Sequence, residues 1–194
     1  MPDTIASIAS EIHDCTKCRL HEGRTNAVPG YGNPQAKIVF VGEGPGKDED
    51  LQGRPFVGRS GQLLTKLLAG IGIDREDVFI TNVVKCRPPE NRDPLEDEIG
   101  TCVPAYLERQ IQAINPKVIV TLGRFSLGIF LPGISISQAH GQAKRRLSDK
   151  RVIFPFYHPA VGLYKASMVA TLEQDMQVLK ALLAKLESDS TVRS

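Results

Sequence analysis

Long apolar runs are absent from this 194-residue sequence: none reaches the roughly 18 residues that a membrane-spanning helix requires, which argues against a helical membrane protein and any membrane partner. The first ten residues carry no basic segment leading into an apolar one, so no secretory leader is expected and a cytoplasmic address is. Net charge is scarce as well. Lys and Arg number 24 against 22 Asp and Glu, and the resulting +2 is too small to announce a nucleic-acid partner. Cysteine is limited to four residues, and without a leader these point to metal or redox chemistry before structural disulfides. No internal repeat is found. What remains is ordinary for a globular chain, 41% hydrophobic and 24% charged, with enough residues for one complete core. The expectation is a single domain over 1–194 that acts as a monomer, with a disordered tail from about 187 to 194.

Basic residues do gather in two places, Lys144, Arg145, Arg146 and Arg151 in one and Lys85, Arg87 and Arg92 in the other. Such groups can track phosphates, but solvated surface is the first expectation for both.

Four apolar, β-branched stretches read as buried strands: Lys37 to Val41, Val78 to Val84, Lys117 to Leu122 and Arg151 to Phe156. Helical periodicity lies between them, over Gly61 to Ala69, Leu95 to Ile114 and Arg124 to Phe130. It also frames the ends, through Ile5, Ile8 and Ile12 and through Met168, Leu172, Met176, Leu179, Leu183 and Leu186. The alternation predicts an α/β fold, a single-domain α/β/α sandwich on a central four-stranded, mainly parallel sheet. Ligands of such sheets bind beyond the carboxyl ends of the strands. Three unusual loops fall on that rim: Gly42 to Asp50, Lys85 to Arg92, and Tyr157-His158-Pro159.

Neither phosphate-binding loop is present. Gly42 and Gly46 enclose three residues where a Walker A loop has four, and Gly44-x-Gly46 lacks the third glycine of a dinucleotide fingerprint. Asp48, Glu49 and Asp50 would also repel a phosphate. A Gly-Pro loop that lets backbone approach a flat, neutral ligand remains, alongside a plain tight connection. Cys15-x2-Cys18 with Cys86 and Cys102 could bind zinc or a 4Fe-4S cluster; the wide second spacing is unlike a zinc ribbon and favours the cluster. His158 at a strand end, Phe56 between Gly53 and Gly58, and Asn82 near the end of the second strand complete the candidates. Each has an ordinary structural alternative: a capped histidine, a core aromatic, a buried amide with partners.

Taken together, Cys15-x2-Cys18, Gly42-Glu43-Gly44-Pro45-Gly46, Gly53-Arg54-Pro55-Phe56-Val57-Gly58, Thr81-Asn82-Val83-Val84-Lys85-Cys86-Arg87-Pro88-Pro89, Cys102 and His158-Pro159-Ala160 resemble the family 4 uracil-DNA glycosylases, iron-sulfur enzymes of bacteria and archaea. The resemblance implies a glycosylase fold and a 4Fe-4S cluster on Cys15, Cys18, Cys86 and Cys102. It implies a uracil pocket from Gly42, Glu43, Gly44, Glu49, Phe56, Asn82 and His158, and uracil-containing DNA as the partner. In that reading His158 donates to uracil O2 as the base leaves, Asn82 reads the N3–H and O4 edge, and Phe56 stacks on the ring. The broader superfamily has an aspartate where this chain has Gly44, so Glu43 is the group expected to orient water, and Glu49 is expected to crowd a thymine methyl. Val161-Gly162-Leu163-Tyr164-Lys165 departs from the Leu-Leu-Arg-Asn of many relatives, and Leu163 is assigned the wedge that replaces the flipped base. The alternative is a non-catalytic iron-sulfur module, DNA-binding or redox-sensing, on the same fold.

Overall fold

Strands buried along their whole length explain the layers. In a computed structural model, which describes residues 2–191, every residue of four strands is buried: β2 (Ile38–Gly42), β3 (Phe79–Asn82), β4 (Val118–Leu122) and β6 (Val152–Phe156). Val39, Val41, Phe79, Ile119 and Ile153 point into one core, whereas Ile38, Phe40, Ile80, Val120 and Phe154 point into the other. Strands buried on both faces need helices on both faces.

The first core is covered by α1 (Ile5–His13), by α5 (Glu96–Cys102) and α6 (Glu108–Ile114), and by α7 (Arg124–Phe130). A π-helical turn, Val103–Leu107, joins α5 to α6. Pro104 in that turn lacks an amide and its ring crowds the preceding turn, so the hydrogen-bond register widens there. The second core is covered by α4 (Arg59–Gly70) and α10 (Ser167–Thr191), through Leu64, Leu67 and Leu68 and through Leu172, Met176 and Leu179. Short helices complete the chain: α2 (Leu20–Gly23), α3 (Lys47–Gln52), α8 (Ile136–Ala139) and α9 (Val161–Tyr164).

Two features correct the sequence reading. The sheet has six strands rather than four, because β1 (Tyr31–Gly32) and β5 (Lys144–Arg145) pair antiparallel on its two edges, giving the order β1-β3-β2-β4-β6-β5. Two-residue strands carry no periodicity to read. The tail expected from about Glu187 is helical through Thr191, and Lys37 Nζ donates to Glu187 Oε1 at 2.8 Å; positions 192–194 lie outside the described residues. Among the described residues no helix is long and apolar enough to cross a membrane.

The parallel core is β3-β2-β4-β6, and the chain passes from β2 to β3 on one side and then to β4 on the other. β2 is therefore the switch point of the sheet, where the loops leaving adjacent strands diverge and open a crevice.

Candidate active site

A cavity of about 350 Å³ opens at that crevice, lined by all three loops singled out on the rim: Glu43 to Gly46 after β2, Pro88, Asn91 and Arg92 after β3, and His158 and Ala160 after β6. Glu49, Phe56, Ser60 and Asn82 complete the wall. The volume suits a single heterocycle, and both polar and apolar side chains reach it.

Asn82 ends β3 opposite Gly42 in the register, and it is buried. Its Oδ1 has no hydrogen-bond partner, one of two buried side-chain atoms so left among the described residues. An orphaned buried acceptor costs free energy unless something supplies a donor. Gly42 does not line the cavity; it backs it. A Cβ at Gly42 would stand 2.4 Å from Asn82 Oδ1 and 2.7 Å from two ring carbons of Phe56, so the glycine lets both side chains lie against the strand end.

His158 follows β6, and its ring lies 5.6 Å from that of Phe56, centroid to centroid, at 32°. Burial pulls its pKa down to about 4, against an opposing pull from Glu49, so the ring is neutral at pH 7. The amide of Ala160 donates to Nδ1 at 3.2 Å. That bond needs a lone pair on Nδ1, which puts the proton on Nε2. The site thus holds a neutral imidazole with one N–H donor.

Glu49 is buried and committed: its Oε1 accepts from the amides of Val57 and Gly58, both at 2.9 Å, so it braces the turn that carries Phe56. The sequence reading gave it only a steric part and missed this one, since a side chain bonding backbone eight residues away leaves no pattern. Glu43 is partly buried, with a pKa raised by burial and then by Asp93, and lowered by Arg124. Leu163 lies on α9, partly buried, and its neighbour Tyr164 is 89% exposed.

The basic groups resolve differently. Arg146 pairs with Asp149, Arg151 pairs with the same carboxylate, and Arg151 also bonds Ile111 O at 3.0 Å, so these arginines brace the turn between β5 and β6 and tie it to α6. In the other group Lys85 is not surface at all. It is 1% exposed, and Nζ donates to Thr81 Oγ1 and Asn82 O at 2.7 Å and to Gln110 Oε1 at 2.8 Å, which uses all three donors. Desolvation lowers its pKa to about 8. Arg87 Nε donates to Asn91 Oδ1 at 2.7 Å, and Arg92 makes a bidentate pair with the buried Glu98, at 2.9 and 2.6 Å.

Behind Lys85, the four cysteines border one cleft together with Ile12, Leu20, Val84 and Tyr106. Cys86 and Cys102 are buried, Cys15 and Cys18 partly so. Arg24 Nη1 donates to Cys86 Sγ at 3.1 Å. Burial raises the thiol pKa values of Cys18, Cys86 and Cys102, the last to about 11, so an electrophile is needed to hold them as thiolates. Among the described residues, no three His, Cys, Asp or Glu side chains converge as ligands of one ion.

Comparison with known proteins identifies the family. The sequence pattern of the uracil DNA glycosylase superfamily matches residues 29–186. A type-4 uracil-DNA glycosylase of Sulfurisphaera tokodaii is 50% identical over 188 residues, which cover 93% of this chain and 85% of that protein. Type-4 uracil-DNA glycosylases of Archaeoglobus fulgidus and Thermotoga maritima are 48% and 47% identical, covering 94% and 92% of this chain and 95% and 94% of their own. A type-5 uracil-DNA glycosylase of Pyrobaculum aerophilum stands further off, 30% identical over 151 residues. The chain belongs to the uracil DNA glycosylase superfamily and, within it, to the type-4 family.

Proposed function

We propose that this protein is a uracil-DNA glycosylase that receives a flipped uracil in the cavity above β2 and hydrolyses its N-glycosidic bond, leaving an abasic site. The observation that carries the reading is Asn82 Oδ1, a buried acceptor without a donor in a cavity that His158, with its single N–H, also lines. Uracil offers the complement: N3–H for Oδ1, O4 for the Asn82 amide, and O2 for His158 Nε2. Cytosine lacks an N3–H and presents an amino group where O4 would be, so the same edge rejects it. Phe56 forms the stacking face, and such stacks are worth about 1–3 kcal/mol, comparable with the cost of unstacking a base.

Chemistry needs the departing uracil anion and the cationic sugar stabilised. A neutral Nε2–H aimed at O2 strengthens its bond as charge develops, with no charged ring to neutralise first. Glu43, its pKa raised by burial, orients the attacking water, and Glu49 adds negative potential beside the sugar while holding the Phe56 turn. Gly42 and Gly44 keep the strand end open to the base. Leu163, on α9 beyond the histidine, is the wedge, with exposed Tyr164 next to it.

Cys15, Cys18, Cys86 and Cys102 are proposed to hold a 4Fe-4S cluster. Four thiols border one cleft with a largely apolar lining, and Arg24 donates to one of the sulfurs; four thiolates are the donor set such a cluster takes. When bound, the cluster supplies crosslinking, joining the segment after α1 to the loop after β3 and to α5. We read the protein as a monomer that acts on uracil-containing DNA in the cytoplasm.

The test is incubation with single- and double-stranded oligonucleotides carrying one uracil, followed by alkaline cleavage. Strand scission at the uracil is expected. Binding to the same DNA with no abasic site formed would leave a non-catalytic iron-sulfur module instead.

A further inference from the structure

Phe56 has φ +51°, a left-handed backbone that a residue with a large side chain adopts only where its surroundings force it. Three groups do so. Glu49 holds the amides that follow it. Gly61 lets the Phe56 carbonyl press onto α4, since a Cβ at Gly61 would stand 1.8 Å from Phe56 O. The third group comes from a separate part of the chain. Arg75, in the helical turn Arg75–Asp77 ahead of β3, donates from Nη2 to Pro55 O at 2.7 Å, and from Nη1 to Thr65 Oγ1 at 2.9 Å and Gly61 O at 3.4 Å.

These hydrogen bonds go to neutral oxygens, and two of them are the carbonyls on either side of the strained turn. One guanidinium therefore ties the residue before Phe56 to the start of α4, the helix against which the Phe56 carbonyl packs. Planar, rigid and carrying five donors, it fixes the spacing between those carbonyls in a way a flexible ammonium cannot.

We propose that Arg75 is the positioning residue that holds Phe56 in its left-handed turn, so that the ring stands in place as the stacking wall before a base arrives. The proposal rests on the reading of the cavity as a base pocket. Released from Arg75, the Pro55 carbonyl can turn to water, Phe56 relaxes toward negative φ, and the ring leaves its place beside His158 and Gly42. A flipped base then meets an ordered wall only in the fraction of molecules that still hold it.

Arg75→Ala and Phe56→Ala are made singly and together, and two quantities are measured on each: single-turnover uracil excision from single-stranded DNA, and amide hydrogen exchange at Val57 and Gly58. Arg75→Ala is expected to slow excision about tenfold to a hundredfold, the span that one strained backbone conformation represents. It should also speed exchange at both amides, and cost nothing further once Phe56 is already alanine. Equal losses in the two backgrounds, or unchanged exchange, would overturn the proposal. If Arg75→Ala does not fold, Arg75→Lys, which keeps the charge but gathers its donors on a single nitrogen, is read in the same cycle with the same coupling at smaller size. Should Phe56→Ala itself excise uracil at the normal rate, the base pocket is what fails, and amide exchange alone then decides whether Arg75 holds the turn.

Discussion

The backbone amide of Ala160 donates to Nδ1 of His158, and this single bond between residues two apart assigns the ring its tautomer. With Nδ1 occupied as an acceptor and burial holding the pKa near 4, His158 has one proton, on Nε2, throughout the neutral range. Excision should therefore lack a histidine limb between pH 8 and pH 5, measured as single-turnover rate at saturating enzyme. Stability should behave otherwise. A pKa of about 4 in the folded chain against an ordinary 6.5 means the unfolded state takes up the proton first. The contribution is fully present above pH 6.5, is lost as pH falls toward 4, and amounts to roughly 1–3 kcal/mol after allowing for the ring's partial exposure. His158→Ala should remove that pH dependence and slow excision roughly a hundredfold to a thousandfold, the usual cost of one leaving-group donor. A stable His158→Ala protein with normal excision would refute the role.

Asn82→Asp places a carboxylate where the orphaned amide now lies. It can accept from a cytosine amino group and repels uracil O4, so the ratio of uracil to cytosine excision should fall by about tenfold or more, the scale of one bidentate base contact. Matched uracil and cytosine oligonucleotides measure it. An unchanged ratio means that Asn82 does not read the base edge.

Gly42→Ala drives a methyl into Asn82 Oδ1 and the Phe56 ring, at 2.4 and 2.7 Å before any relaxation. Overpacking of this kind costs about 1–3 kcal/mol, and here the displaced atoms are the two walls of the pocket. Excision should drop steeply while thermal unfolding moves by only a few degrees. Gly70→Ala on α4 meets nothing within 4 Å and serves as the control, neutral or slightly stabilising and fully active.

Purified anaerobically, the protein should be brown and carry about four iron and about four sulfide per chain. Cys86→Ser should lose iron, melt at lower temperature and bind DNA more weakly. Stoichiometric zinc with no iron would reject the cluster, and a stable, cluster-free Cys86→Ser protein that binds DNA but performs no chemistry would reject its structural role.

Periodicity and turn chemistry made much of the molecule legible in advance. Ile38 to Val41 and Val118 to Val120 are continuous apolar runs because both faces of the sheet are covered, and Leu64, Leu67 and Leu68 repeat at helical spacing because one face of α4 is buried. Parallel strands joined by helices send every strand-to-helix loop to one rim, which is why Glu43, Asn91 and His158 could be assigned to one end of the sheet from order alone. The four cysteines, which now border one cleft, announced themselves by scarcity.

What the order of residues determined by itself is therefore everything set by local repetition: the strands, the long helices, the shared rim and the chemical candidates on it. Contacts between distant segments were decided only by the tertiary structure. Arg75 reaches Pro55 across 20 residues, Lys85 is satisfied by Gln110 across 25, and the edge strands β1 and β5 exist only because β3 and β6 offer them open backbone. In sequence a buried lysine and a solvated one look alike, as do a strained phenylalanine and a relaxed one. The difference lies in which donors and acceptors folding brings within 3 Å, and a side chain records no trace of partners it has yet to meet.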